Sequence, residues 1–296
     1  MSVRLYMAII AALSLGLAGC TSLSAVVDIA LGPAETGALD ATAVEATSTP
    51  TATVVVLCDT SSSTTSERAA YLDTLGRALD VVAQPGTTII VLTITRDSRS
   101  AGAVLAEEKI PGFTFAPEPD PQTDNPVLLA QFRTEQRERL ASEYAAFLVA
   151  TDTVGIRQRV LDAAAFAIAE GREPETDVLG GLQEAGELLT ASGAEHRYLL
   201  ILSDMVRDDS EADFGRLITA ERAAAQLQVD LQAGRVADLS GVRVLVAGVN
   251  ANGGSARYEA LSTYWTGYLL QAGAVTQPDW YGLQVTQLSL EGWAAR

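Results

Sequence analysis

The chain has 296 residues, of which 37 are Asp or Glu and 20 are Lys or Arg, giving a formal charge of −17 with a single His. So acidic a surface repels phosphate backbones and anionic headgroups and attracts cations, which excludes nucleic-acid binding as a function class. Cys20 and Cys58 are the only cysteines, too few for a disulfide framework.

The first residues hold one cation, Arg4, and then an apolar run from Leu5 to Ala18. That run is shorter than the ~20 residues that span a bilayer, and small residues follow it, as in a secretory signal. Leu17-Ala18-Gly19-Cys20 resembles the lipobox of bacterial lipoproteins. The resemblance implies that residues 1–19 are removed, that Cys20 is lipidated, and that the domain is held on the extracytoplasmic side of a membrane in the cell envelope. Thr21, not Asp, after the Cys favours the outer membrane where one exists. The alternative is an ordinary signal or anchor helix that happens to contain a Cys. Residues 20–50 are rich in Ala, Thr and Ser and lack Lys, Arg and aromatics, so they read as a flexible tether. Residues 51–296 remain for one domain.

Four continuous Val, Ile and Leu runs read as strands buried on both faces: Thr53 to Asp59, Thr87 to Thr95, Arg197 to Asp204 and Gly241 to Val249. Helical periods separate them. Leu72, Leu75, Leu79 and Val82 share a face of Glu67 to Gln84, with Thr64 and Glu67 spaced as a capping box. Leu179, Leu182, Gly186 and Leu189 precede the third strand. Phe214, Leu217 and Ile218 open a helix that runs to Gln232, and Tyr258, Leu261, Trp265 and Leu269 mark the last helix, a stripe that reads as core. Such alternation predicts a doubly wound α/β fold, a mostly parallel sheet flanked by helices, with Ala103 to Ile110 as an antiparallel edge strand and Tyr281 to Leu290 as a final strand. Residues 111–171 break the alternation as a helical insertion, with apolar periods at Leu129, Phe132, Leu140, Tyr144 and Phe147 and at Val160, Ala164 and Ile168.

Ligands of doubly wound folds bind beyond the carboxyl ends of the strands. Asp59 ends the first strand, Asp204 ends the third, and Thr176 precedes a helix that faces the same edge. Taken one at a time, these residues have structural readings: Thr64 or Ser66 as a cap of the first helix, Thr176 or Asp177 as a cap of a later one, Asp204 as a turn acid. Together they bring oxygen ligands to one place. Asp59-Thr60-Ser61-Ser62-Ser63 resembles the DxSxS motif of von Willebrand factor A domains, the signature of a metal-ion-dependent adhesion site. TDVLGGLQEA from Thr176 is similar to that family's threonine loop, and LLILSDMV from Leu199 to its Ser-Asp after the fourth strand, with Met205 where Gly is frequent.

The resemblance implies Ser61, Ser63 and Thr176 as hydroxyl ligands of a divalent cation, with Asp59 and Asp204 binding directly or through water. Few carboxylates among hard oxygens suit Mg2+, with Mn2+ or Ca2+ as alternatives. The metal is then incompletely neutralised, and a protein partner can offer the Asp or Glu carboxylate that completes it. No GxSxG, HExxH or Gly-rich phosphate loop occurs, and His196, at the start of its strand, stands about 26 Å from Asp204 at about 3.3 Å per residue. The expectation is therefore binding, not turnover. Two rivals remain: an assembly module of an envelope or conjugation-type complex with an architectural metal, and a metal-dependent hydrolase drawing on the acids Asp208, Asp209, Glu211 and Asp213, which otherwise read as the start of the next helix.

Overall fold

Strand β1 (Ala52–Asp59) is buried at all eight positions, as an unbroken apolar run requires, and so is β2 (Thr87–Ile94). They lie at the centre of a sheet in a computed structural model that describes residues 51–61, 64, 67–99, 103–171, 176–209, 212–214, 219–249 and 254–295. The expected signal, Cys20, the tether and Ser63 fall outside the described residues.

Between these strands runs α1 (Arg68–Val82), and after them come β3 (Val104–Lys109), α2 (Pro126–Ala150), α3 (Thr153–Glu170), α4 (Val178–Ala191), β4 (His196–Leu202), α5 (Ala220–Gln232), β5 (Arg243–Ala247), α6 (Ser255–Gln271), β6 (Tyr281–Gly282) and α7 (Gln287–Ala294). The sheet order is β3-β2-β1-β4-β5-β6. Every pairing is parallel except β2 with β3, so the expected antiparallel edge strand is present.

The alternation of side chains along each central strand divides the core into two layers. On one face Val54, Val56 and Cys58 pack with Tyr71 and Leu75 of α1, Val160 of α3 and Trp293 of α7. On the other, Val55 and Leu57 pack with Leu182 of α4, Leu227 of α5 and Trp265 of α6. Each fully buried Val or Leu contributes about 1.5–3 kcal/mol, so the central strands carry much of the stability.

Three expected boundaries differ. The helix expected to be capped by Thr64 begins at Arg68, and its N-terminal flanking residue Glu67 makes no capping bond. The Thr64 hydroxyl instead donates to the Ser61 carbonyl at 2.9 Å, so there is no capping box. Helix α5 starts at Ala220, its first turn capped by Thr219. Phe214 lies ahead of it, buried against the Tyr264 ring at 4.9 Å. Finally, the strand expected over Tyr281 to Leu290 is two residues long. Thr286 then accepts a hydrogen bond from the Ser289 amide at 3.2 Å and opens α7, which buries Leu290 and Trp293.

Within the expected insertion, α3 packs on β1, β2, β3 and α1. Residues 113–150 group as a separate unit. There Phe113 meets Tyr144 edge-on at 5.1 Å and Phe147 at 5.2 Å, and Arg139 lies over the Phe115 ring at 5.3 Å while bonding Glu118 and Glu143, each at 2.7 Å. No helix among the described residues is long and apolar enough to cross a membrane.

Candidate metal centre

The register that pairs Cys58 with Leu202 sets the next residues, Asp59 and Ser203, side by side where β1 and β4 end. The Ser203 hydroxyl donates to Asp59 Oδ2 at 2.6 Å, and the Ser61 amide donates to Asp59 Oδ1 at 2.8 Å. Asp59 is fully buried, and Ser61 is nearly so. The loop that carries Ser61 is clamped from outside. Thr60 donates from its hydroxyl to the Ile94 carbonyl at 2.9 Å, anchoring the loop to the end of β2.

Gly171, just past α3, seals the loop's other side. A Cβ at this position would stand 2.2 Å from Thr60 Cβ and 2.6 Å from the Thr60 carbonyl oxygen, so only glycine fits. Arg68 fastens the contact by donating to the Gly171 carbonyl at 2.8 Å. Gly171→Ala is expected to cost about 1–3 kcal/mol of stability through overpacking and to displace Thr60 and Ser61, weakening cation affinity; urea unfolding and metal titration of the same sample check both effects.

Strand β4 ends at Leu202, so Asp204 sits two residues beyond it and not at the strand's last position. Asp204 is 2% exposed, and its Oδ1 accepts from the Val206 amide at 2.9 Å. Met205 adopts φ +59°, the left-handed region that favours glycine. That explains why Gly is frequent at the matching place in the resemblance. Three bonds and contacts hold the methionine there: its amide donates to Ser203 Oγ at 2.8 Å, its carbonyl accepts from the Trp265 indole at 2.8 Å, and its side chain is fully buried in the core.

Asp208, Asp209 and Asp213 do not begin a helix, and Glu211 lies outside the described residues. Asp208 bridges to both Thr176 and Asp213, and Asp209 accepts from the Ala212 amide at 2.9 Å. The Thr176 amide donates to the Asp208 carbonyl at 3.0 Å, and the Asp177 amide to the Thr95 carbonyl at 2.9 Å. The threonine loop is thus slung between the end of β2 and the loop of Asp204, and Thr176 is 3% exposed. Asp177, not Thr176, caps α4, accepting from the Gly180 amide at 2.8 Å. Thr176 is left to the edge.

Asp59, Ser61, Thr176 and Asp204 therefore all arrive, buried, at one edge of the sheet. Burial, and next the charge of Asp204, push the Asp59 carboxyl up to about 6, against the lowering effect of the Ser203 and Ser61 donors. Burial also pushes the Cys58 thiol up to about 12, with Asp59 adding to it, as befits a small packed hydrophobe. No group of three or more His, Cys, Asp or Glu able to hold a metal exists among the described residues. The donor set at the edge is instead two carboxylates with neutral hydroxyls, oxygen donors of the kind a hard divalent cation takes. His196 pairs with Ala52 at the opposite end of the strands.

Two residues at this edge lie outside the expected ligand set. Ser203 joins Asp59 to Met205. Arg207, 1% exposed, holds the loop after Asp204 by donating to Asp209, to Asp230 at 2.7 Å and to Tyr264 at 3.2 Å. Beside Thr176 opens a cavity of about 410 Å3 lined by Arg96, Arg99, Arg207 and Arg235 together with Asp177, Asp208 and Asp209.

No protein-family model and no curated protein matches the chain. Among solved structures it is similar to a von Willebrand factor type A protein from Catenulispora acidiphila, at 14% identity over 84% of this chain and 42% of that one, TM-score 0.36. It is similar to the pilus adhesin SpaC from Lactobacillus rhamnosus GG in its open conformation, at 12% identity over 83% of this chain and 29% of that one, TM-score 0.38. A third is proximal thread matrix protein 1 of the mussel byssus with a zinc-occupied MIDAS motif, at 11% identity over 83% of this chain and 46% of that one, TM-score 0.34. The chain spans less than half the length of each of these three. With DTSSS after β1, Thr176 ahead of α4 and Ser203-Asp204 after β4 of a doubly wound sheet with one antiparallel edge strand, the chain resembles a von Willebrand factor A domain.

Proposed function

We propose that the chain is an extracytoplasmic lipoprotein, anchored through Cys20, whose doubly wound domain binds a protein partner through a divalent cation, with Mg2+ preferred over Mn2+ or Ca2+. Asp59 and Asp204 would hold the ion with the hydroxyls of Ser61, Ser63 and Thr176. Bound there, the cation supplies an open coordination position for a partner's Asp or Glu carboxylate. The observation that carries this reading is the buried pair Asp59 and Asp204, whose mutual repulsion a cation relieves. Nothing in this reading needs a bond to be made or broken.

Capture of envelope proteins on the full chain, with and without EDTA, tests it. The bound protein should be released by EDTA, return with Mg2+, and be absent on Asp204→Ala. Capture that persists through chelation and through Asp204→Ala contradicts the reading. Lipid labelling that Cys20→Ser abolishes is the result expected of the anchor.

A further inference from the structure

Tyr71 lies on α1 with its side chain 1% exposed, and its hydroxyl has no hydrogen-bond partner. A buried hydroxyl without a partner loses its hydration and gains nothing in return, while phenylalanine would fill the same space without that loss. The ring is tightly placed. A Cβ on Gly248, which follows β5 at φ +100°, would stand 2.0 Å from Tyr71 Cε1 and 2.7 Å from its hydroxyl oxygen, so only glycine there admits the phenol. Burial raises the Tyr71 pKa, and the next largest causes are the charges of Asp59 and then Asp204, so the phenol stands within the field of both acids.

Two other tyrosine or threonine hydroxyls among the described residues are buried without a partner, those of Thr53 and Tyr281. Thr53 is near the amino end of β1, and Tyr281 is perturbed by burial and by Tyr258. Tyr71 differs in lying within the field of both acids and in packing in the cluster that holds Cys58, the residue before Asp59. Both oxygens of Asp59 already accept a hydrogen bond, from Ser61 and from Ser203. The natural partner of the phenol is therefore a water in the shell of the ion, and Mg2+ usually keeps several.

We infer that Tyr71 is a positioning residue of the cation site, whose hydroxyl donates to a water held by Asp59 and Asp204 when the divalent ion is bound. The inference rests on the cation-site reading above. It is tested by titrating Mn2+ into the wild-type chain, Tyr71→Phe and Asp59→Ala by calorimetry, and by urea unfolding of each in EDTA. Tyr71→Phe should bind Mn2+ about tenfold more weakly, the usual scale for a residue that orients a metal's ligands. In EDTA it should be as stable as wild type or more so, because the ring stays packed and the orphan hydroxyl is gone. A merely structural hydroxyl gives the reverse pattern: lowered stability in EDTA with affinity intact. Affinity within twofold of wild type, or a loss of stability in EDTA, overturns the role of Tyr71 while leaving the cation site standing. Absence of Mn2+ binding by the wild type, or binding undiminished in Asp59→Ala, overturns both.

Discussion

Replacing Arg207 with Ala is expected to lower stability by about 3–5 kcal/mol, the range for removing one partner of a buried ion pair. Arg207 is 1% exposed, and Asp230 beneath it is fully buried. Asp230 Oδ2 also accepts from Tyr264 at 2.6 Å, and Arg235 reaches Oδ1 at 3.4 Å. Once Arg207 is gone, Tyr264 and the half-buried Arg235 are left to compensate the carboxylate, which places the effect toward the lower end of that range. The pair itself need not be net stabilising, because desolvating two ions offsets most of their attraction. Arg207→Met combined with Asp230→Leu should therefore recover much of what Arg207→Ala loses, as read from urea midpoints. The single change should also weaken cation binding, since Arg207 secures the segment that continues from Asp204 and Met205.

Asp59 is expected to make the cation-free protein less stable as pH rises. Its carboxyl titrates near 6 in the fold against 3.8 in a free chain, burial being the first cause and Asp204 the second. Between those values the folded state holds a proton that the unfolded state has released, so stability falls as pH rises through that window. The resulting penalty is on the order of 3 kcal/mol, absent below pH ~4 and complete above pH ~6. Asp59→Asn removes the charge, and its amide can still accept from Ser61 and donate to Ser203. In EDTA this variant should lose the downward slope and exceed wild type at pH 7. With Mg2+ in hundredfold excess over Kd the gap should close, because only the wild type gains the ~2.7 kcal/mol of ligand stabilisation. Chemical denaturation from pH 4 to pH 7, with EDTA or Mg2+, measures both arms. A flat wild-type profile in EDTA contradicts the electrostatic picture of the site.

The strands that build the edge are legible in the sequence because nothing competes with their meaning: β1, β2, β4 and β5 are apolar runs buried on both sides of a sheet. The residues at their carboxyl ends are legible for the same reason. Once Asp59 is placed at the end of β1 and Asp204 just past the end of β4, the topology brings them together. Thr64 departs from its expected capping role because its hydroxyl satisfies the Ser61 carbonyl, a local alternative that the spacing to Glu67 does not reveal. Phe214 reads as helical because its apolar character suits either a helix face or a plug. Its amide bond to the Arg207 carbonyl, at 2.7 Å, keeps it out of α5.

The long-range partners of Ser203 and Arg207 cannot be read from local pattern. They stand far along the chain, 144 residues from Ser203 to Asp59 and 57 from Arg207 to Tyr264. A lone Arg between an apolar strand end and a run of acids is the one signal available. Its burial follows from the fold and not from any periodicity.

That buried Asp59, Ser61, Thr176 and Asp204 form one site for a divalent cation is tested most directly by calorimetric titration of Mg2+ into the full chain, alongside Ser61→Ala and Thr176→Ala. These two variants keep both carboxylates, so any general attraction of the acidic surface for cations is unchanged. A single saturable site in the wild type, weakened in each variant, is the result expected. No saturable binding in the wild type, or equal binding in all three, would contradict it.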